Sequence, residues 1–413
     1  MSISAPDVLK KALVMVLAGG EGQRLYPLTK DRAKPAVPFG GIYRIIDFTL
    51  SNCLNSGLHK IVLLTQYKSM SLDRHIRLGW WNIFSSELGD HLEIIPPQMR
   101  ISHEWYRGTA DAVYQNIYTL ERERPETVLI LGGDHVYKMD YRKMLAFHMG
   151  KNADVTVSCV DVPIEEAHRF GIMEIDEENR ITGFHEKPSH PKPMPSNPDR
   201  VLASMGIYLF NTKTLVRRIV KDSKTDSRHD FGGDVIPSIL DRDRIYAYNF
   251  EDENKSPVRY WRDIGTLDAY WDANMDLVSI NPVFNLYDTD WPIRTYREQF
   301  PPAKTVYAGD DGRTGEVFNS LLSAGCIISG ARVENSVLSP DVRIEVNSDI
   351  SDSVIMEGVR IGRNVEIRKA IIDKGVHIPD GTIIGCDHER DRRHFTVTEN
   401  GVVVVPKEML IME

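Results

Sequence analysis

Leucine, isoleucine or valine stands at Leu321, Ile327 and Val333, then at Leu338, Ile344 and Ile350. The same is true of Ile355, Ile361 and Ile367, and of Ile372, Ile378 and Ile384. The step within each triplet is six residues and the step between triplets is five. A six-residue aliphatic period is the signature of a left-handed parallel β-helix, whose coil has three short sides. Scattered aliphatic residues would not hold one register over twelve positions. The missing residue recurs at the same place in every coil, which predicts one tightened corner. After the last coil, residues 392–410 with VTENGVVVV read as a hairpin finishing the domain.

Ahead of the repeat, residues 12 to about 280 alternate strand and helix patterns. Strands are predicted at 13–17, 61–65, 128–131, 155–160, 172–175 and 202–210. Amphipathic helices are predicted at 45–55, 110–121, 141–149, 212–221 and 268–278. This alternation argues for a mostly parallel sheet covered by helices. Residues 188–198 (PSHPKPMPSNP) are too rich in proline for helix or central strand. They read as a surface loop, with a lid role as open as a plain excursion. Residues 281–315 shift to Pro, Asp, Tyr and Gly and read as a linker. The division is therefore 1–280, an α/β domain; 281–315, linker; and 316–413, β-helix.

With 413 residues the chain exceeds one typical core. Its 42% hydrophobic and 26% charged residues are those of a globular protein. A formal net charge of −9 argues against a general nucleic-acid binder, so basic clusters read as sites for small anions. Four cysteines lie far apart without metal-binding spacing, which fits a reduced compartment. MSISAPDVLKK lacks a signal-peptide pattern and no stretch approaches a membrane span, so the expectation is a cytoplasmic protein without membrane partners.

The chemistry concentrates in ALVMVLAGGEGQRLYPLTKDRAKPAVP, from Ala12 to Pro38. An apolar run breaks at Gly19, Gly20 and Gly22, and Arg24, Arg32 and Lys34 follow. Such a break bares backbone N–H groups at the carboxyl edge of a sheet, where open α/β sheets bind nucleotides. The loop is neither a Walker loop nor a G-x-G-x-x-G fingerprint. Alone it reads equally as an ordinary glycine turn, and the cations favour phosphate. A second strand ends in Gly132-Gly133-Asp134-His135, which suits Asp134 to Mg²⁺, a hard cation. A second acid, Asp263, lies in YWRDIGT. Each aspartate is also an ordinary turn or cap residue. His135 receives no role. In WYRGTADA, Thr109 reads as a helix N-cap and Tyr106 as a stacking partner for a base, or the aromatics staple the helix start. Glu186 and Lys187 suit sugar hydroxyls and a phosphate monoester, or are edge features of a strand. No nucleophile–base pair is evident, which fits nucleotidyl transfer to an already ionised phosphate.

Taken together, GGEGQRL, RAKPAVPFGG, RIIDFTLSN, WYRGTADAV, GGDHVYKMDY, FGIM, HEKP, ASMGIY, HDFGGDVIP and YWRDIGT resemble the ADP-glucose pyrophosphorylase family, from about Leu13 to the chain's end. The resemblance implies a Rossmann-like nucleotidyltransferase domain, a left-handed β-helix and a homotetramer. It implies ATP and α-D-glucose 1-phosphate as substrates, Mg²⁺ as cofactor, and ADP-glucose as the glucosyl donor for glycogen or starch-like synthesis. Carried over by motif, Arg24 and Lys34 contact the triphosphate, and Asp134 and Asp263 hold Mg²⁺. Tyr106 lies at the nucleotide, and Gly171, Glu186, Lys187 and Ser204 at the sugar phosphate, supported by Asp230 and Trp261. Small-molecule effectors bind between domains in this family, and Arg44, Arg122 and Lys374 match positions associated with them. Glu21 and Asp31 stand where many bacterial members carry a basic residue, which implies an altered or weak response to fructose 1,6-bisphosphate. The alternatives are another NDP-sugar pyrophosphorylase, a catalytically silent regulatory subunit, or an acyltransferase, the last disfavoured because His377 reads as an outward residue.

Overall fold

A computed structural model describes residues 5–98, 105–308 and 313–409. In chain order the elements that build the first region are β1 (Ala12–Ala18), α1 (Ile45–Asn55), β2 (Lys60–Thr65), α2 (Met70–Gly79) and β3 (His91–Ile95). Then come α3 (Thr109–Gln115), α4 (Ile117–Glu123), β4 (Thr127–Gly132), β5 (His135–Tyr137) and α5 (Tyr141–Gly150). The remainder are β6 (Val155–Pro163), β7 (Gly171–Ile175), β8 (Ile181–Glu186), β9 (Arg200–Asn211), α6 (Thr212–Asp222), β10 (Ile245–Asn249), β11 (Trp261–Asp263) and α7 (Leu267–Asp276).

Among the described residues one sheet runs β8-β7-β9-β4-β1-β2-β3, with β6 on β9 and β10 on β6. Strands β4, β1, β2 and β3 are mutually parallel, with Val14 opposite both Leu129 and Ile61. Strand β9 joins β4 antiparallel and carries the antiparallel wing. Successive residues of β1 face opposite sides: Val14 and Val16 enter one core, Leu13 and Met15 the other. Both faces are therefore covered, which is why β1 reads as an unbroken apolar run.

The helix predicted over 110–121 is two, α3 and α4, interrupted at Asn116. The buried Asn116 side chain donates to the Ala112 carbonyl (2.8 Å) and the Tyr106 hydroxyl (2.9 Å), competing with the helical ladder. Strands β3, β5, β8, β10 and β11 were not among the predicted ones. Residues 188–198 form a loop holding only an isolated bridge, Met194 to Asn197.

The repeat folds as a three-sided parallel β-helix. Ile344, Ile361 and Ile378 stack on one side, Ile350, Ile367 and Ile384 on the next, and Leu338, Ile355 and Ile372 on the third. In the first coil the partners are Leu322 and Ile328, not Leu321 and Ile327, which step one residue out of register. Corners recur every seventeen residues in left-handed conformation: Asn335, Asp352 and Lys369 at the five-residue step, with Asn347 and Asn364 at another corner. Short polar side chains, present at every one of these corners except Lys369, suit this backbone because they bond locally. The C-terminal hairpin is present, Thr396–Val397 against Val403–Val405; residue 410 lies outside the described residues.

The stretch 281–315 is not simply a connector. Lys304–Ala308 pairs in parallel with Ile327–Ser329, adding a β-helix strand. Further upstream, Trp291 Nε1 donates to Asn52 Oδ1 (2.9 Å) and Thr295 Oγ1 to Asp47 Oδ2 (2.7 Å). Residues 309–312 lie outside the described residues. One apolar cluster joins the two regions, Phe39, Phe48 and Tyr270 meeting Val337, Val354 and Ile371.

Candidate active site

Parallel strands end together, so their exits share one edge. The Gly133 N–H donates to the Leu17 carbonyl at 3.0 Å, fixing the Asp134 turn against the glycine turn that follows β1. Gly22 has φ +66°, and a Cβ there would lie 2.9 Å from Thr29 Cγ2, so both backbone and space demand glycine. Gly19 packs on Gln66, whereas a Cβ on Gly20 would meet nothing within 4 Å. Arg24 is exposed, and its guanidinium lies beside Gly265, where a Cβ would approach Nη2 to 3.2 Å.

Asp134 and Asp263 are brought together by pairing of β5 with β11, in which His135 opposes Asp263. Lys34 Nζ lies between them, 2.6 Å from Asp134 Oδ2 and 3.2 Å from Asp263 Oδ1. Burial resists ionisation of Asp134, but the Lys34 ammonium, with His135 beside it, overcomes this and holds the carboxyl down at about 2. Burial likewise opposes the charge on Lys34, and the two carboxylates outweigh it, so its pKa is raised. Among the described residues, Asp134, His135 and Asp263 each offer a ligand atom within 4.8 Å of the others, a donor set that fits a divalent cation.

The other wing supplies the far wall. Gly171 opposes Glu186 across β7 and β8, and a Cβ on Gly171 would strike the Phe184 ring at 2.7 Å. Lys187 turns out of β8 at φ +47°, its N–H donating to the Phe170 carbonyl (2.9 Å) and its Nζ 3.6 Å from Glu186 Oε1. Trp261 links the two walls: its ring lies 5.7 Å from Phe170 and 5.3 Å from His135. Strand β9 breaks register between Ser204 and Ile207, where Gly206 takes φ +68°.

One residue, Thr109, differs from the expectation. Thr109 is not the N-cap of α3; Gly108 is, in extended backbone. The Thr109 hydroxyl instead donates to Asp230 Oδ2 (2.9 Å) and accepts the Phe231 N–H (2.9 Å), binding α3 to the Asp230 turn. Tyr106 is half-buried against the core, its hydroxyl engaged by Asn116. The exposed aromatic face nearby is the stack of Trp105 on Tyr67, centroids 4.9 Å apart and planes 4° apart. Tyr208 was not foreseen either: it lies among Ser204, Asp230 and Glu186, and burial, with the Asp230 charge, raises its pKa. The signal was its place four residues after Ser204 on one strand, obscured by the register break.

Of the three residues tied to effectors, Arg44 and Lys374 lie in one patch with Arg32 at the meeting of the two regions. Burial lowers the pKa of both, Arg32 adding to it by repulsion, while Asp47 and Glu357 oppose it at Arg44 and Glu357 opposes it at Lys374. Arg44 donates to Ser71 Oγ (2.8 Å) and the Ala36 carbonyl (3.1 Å), and Lys374 to Glu357. Arg122 stands elsewhere, on α4, paired with Glu93 and Glu123.

Residues 13–279 match the nucleotidyl transferase family, and residues 301–405 a family described as GlmU-like, C-terminal hexapeptide. The chain is 53% identical to the glucose-1-phosphate adenylyltransferase of Koribacter versatilis over 405 residues, covering 98% of this chain and 97% of that one. Identity to the protein of the same name in Rhodopirellula baltica is 52% over 408 residues, covering 98% and 92%. For that of Hydrogenovibrio crunogenus it is 53% over 409 residues, covering 98% and 96%.

Proposed function

The chain belongs to the glucose-1-phosphate adenylyltransferases, within the nucleotidyl transferase family, and we propose that it transfers the adenylyl group of ATP to α-D-glucose 1-phosphate. In this reaction a phosphate oxygen of the sugar attacks the α-phosphorus, the bond to the bridging oxygen breaks, and its electron pair leaves with pyrophosphate. The attacking phosphate is already ionised, so alignment and charge neutralisation are needed rather than a general base.

The single observation that carries this reading is Lys34 held between two strand-end carboxylates beside a glycine turn. In our assignment the N–H groups of residues 19–22, with Arg24 and Lys34, receive the triphosphate, and Tyr106 borders the nucleotide. Glu186, Lys187, Gly171 and Ser204 receive the sugar phosphate, with Asp230 and Trp261 supporting them. Nucleotidyl transferases of this kind generally use a divalent metal, and we assign it as Mg²⁺ held by Asp134 and Asp263, where it would neutralise charge on the phosphates. Lys34 neutralises those two acids until they take the cation.

We further assign anionic effectors to the patch of Arg44 and Lys374, beside the buried Arg32–Asp373 pair, with Arg122 outside it. The acids Glu21 and Asp31 are both exposed and weaken the response to fructose 1,6-bisphosphate. A homotetramer is part of the same reading, supported by exposed Met70, Trp81 and Leu88 along and after α2; light scattering at four chain masses tests it. Among the described residues no helix is long and apolar enough to cross a membrane, and we place the enzyme in the cytoplasm.

The test is pyrophosphate release from glucose 1-phosphate with each nucleoside triphosphate in turn. ATP is expected to lead, and clear preference for another base would move the enzyme to a different sugar-nucleotide branch. Asp134→Asn should fold and lose about a hundredfold or more of this activity; unchanged turnover would remove the metal role.

A further inference from the structure

His135 carries the next inference. Its Nε2 lies 3.7 Å from Asp134 Oδ1 and 3.9 Å from Asp263 Oδ1, facing the same space as both carboxylates. Atoms bound at about 2.1 Å to one ion lie roughly 3–4 Å apart, so all three can close on one cation with little movement.

The ring's other nitrogen, Nδ1, is buried without a hydrogen-bond partner. Nδ1 is left unsatisfied in either neutral tautomer, as a bare lone pair or as an N–H, so no hydrogen bond on the buried side fixes which nitrogen carries the proton. The ring is instead set by packing. Trp261 meets it edge to face, and Gly132 and Gly206 flank it without side chains. A pairing partner on Nδ1, the usual way of orienting a ligating imidazole, is replaced here by shape.

We propose that His135 is a third metal ligand, through Nε2, giving the site a mixed nitrogen–oxygen donor set that favours Mn²⁺ or Co²⁺ over Mg²⁺ relative to two carboxylates alone. Imidazole nitrogen binds later first-row ions better than it binds Mg²⁺. The enzyme therefore accepts more than one divalent ion, and His135 sets the preference among them. This rests on the two-carboxylate site proposed above, and the two are separable.

The experiment titrates Mn²⁺ into the full-length enzyme with pyrophosphate present, reading free Mn²⁺ by electron paramagnetic resonance, and obtains Mg²⁺ affinity by competition. His135→Phe keeps the ring's shape and removes both nitrogens. It should weaken Mn²⁺ about tenfold or more and Mg²⁺ less than about threefold. His135→Gln provides a second variant should the first not fold, and should show the same difference. Visible absorption of bound Co²⁺ should change in both. Unchanged Mn²⁺ affinity, or equal loss for both metals, would overturn the role of His135. Full Mn²⁺ affinity in Asp134→Asn would instead overturn the carboxylate site.

Discussion

Arg32 and Lys34 leave the same loop two residues apart and serve different parts of the molecule. Arg32 reaches into the β-helix, where Nη2 lies 2.9 Å from both oxygens of Asp373, with side chains only 6% and 2% exposed. Lys34 reaches the strand-end acids, and there the cation is 10% exposed while Asp134 and Asp263 are 32% and 39% exposed. The first pair is sealed: both charges are desolvated, and each satisfies the other. The second is half open: a metal can compete for the acids and a phosphate for the lysine. One loop thus carries a fixed joint and an exchangeable one, and burial separates them.

Four measurements would break or sharpen this contrast. The largest effect should come from Lys34→Met, which removes the exchangeable cation. Pyrophosphate release is expected to fall roughly 10²–10⁴-fold, about 3–5 kcal/mol of transition-state stabilisation; a loss below tenfold would show that Lys34 only tethers the acids.

Next, Arg32→Met should destabilise the fold by about 3–5 kcal/mol in urea titration, because Asp373 is left buried and unpaired. The double variant with Asp373→Leu should recover most of that loss. Failure to recover would mean that Arg32 works through packing rather than charge.

The third is a pH series. Asp134 has its pKa depressed from 3.8 to about 2 in the folded chain. Its contribution is full above pH 3.8 and is lost as the pH falls through about 2, since the folded carboxylate must then take up a proton. The stability gap between the parent and Lys34→Met should hold down to about pH 4 and close below it. A gap that closes already near pH 6 would place its source elsewhere.

The smallest effect belongs to the rim of the joint. Lys369 Nζ lies 5.0 Å from the Trp271 ring centroid and donates to the Asn400 carbonyl at 2.8 Å. Lys369→Met should cost about 0.5–1 kcal/mol by thermal or urea unfolding. A loss matching that of Arg32→Met would relocate the joint to its edge.

Local order was legible where the pattern repeats. Helix α1 matches its predicted bounds of 45–55 because its spacing, an acid in its first turn that accepts the Arg44 N–H (Asp47, 2.8 Å) and Gly57 just beyond its end all agree. The β-helix was legible because each coil repeats the same demand, and it slipped by one residue only in its first coil. The predicted helix over 110–121 failed at a buried asparagine whose partners include Tyr106, invisible to periodicity. Thr109 looked like a cap because caps are local, but its hydroxyl is committed to Asp230, 121 residues away.

The sequence by itself determined the α/β and β-helix regions, the glycine turn after β1, and Asp134 just past a strand end, since each follows from spacing along a short stretch of chain. Only the tertiary structure decided that Asp134 and Asp263 share Lys34, that His135 faces them, and that Arg44 and Lys374 meet while Arg122 does not. Those facts depend on which strands pair and which surfaces close on each other, and burial, rather than residue type, then decides which charged pair is fixed and which can be exchanged.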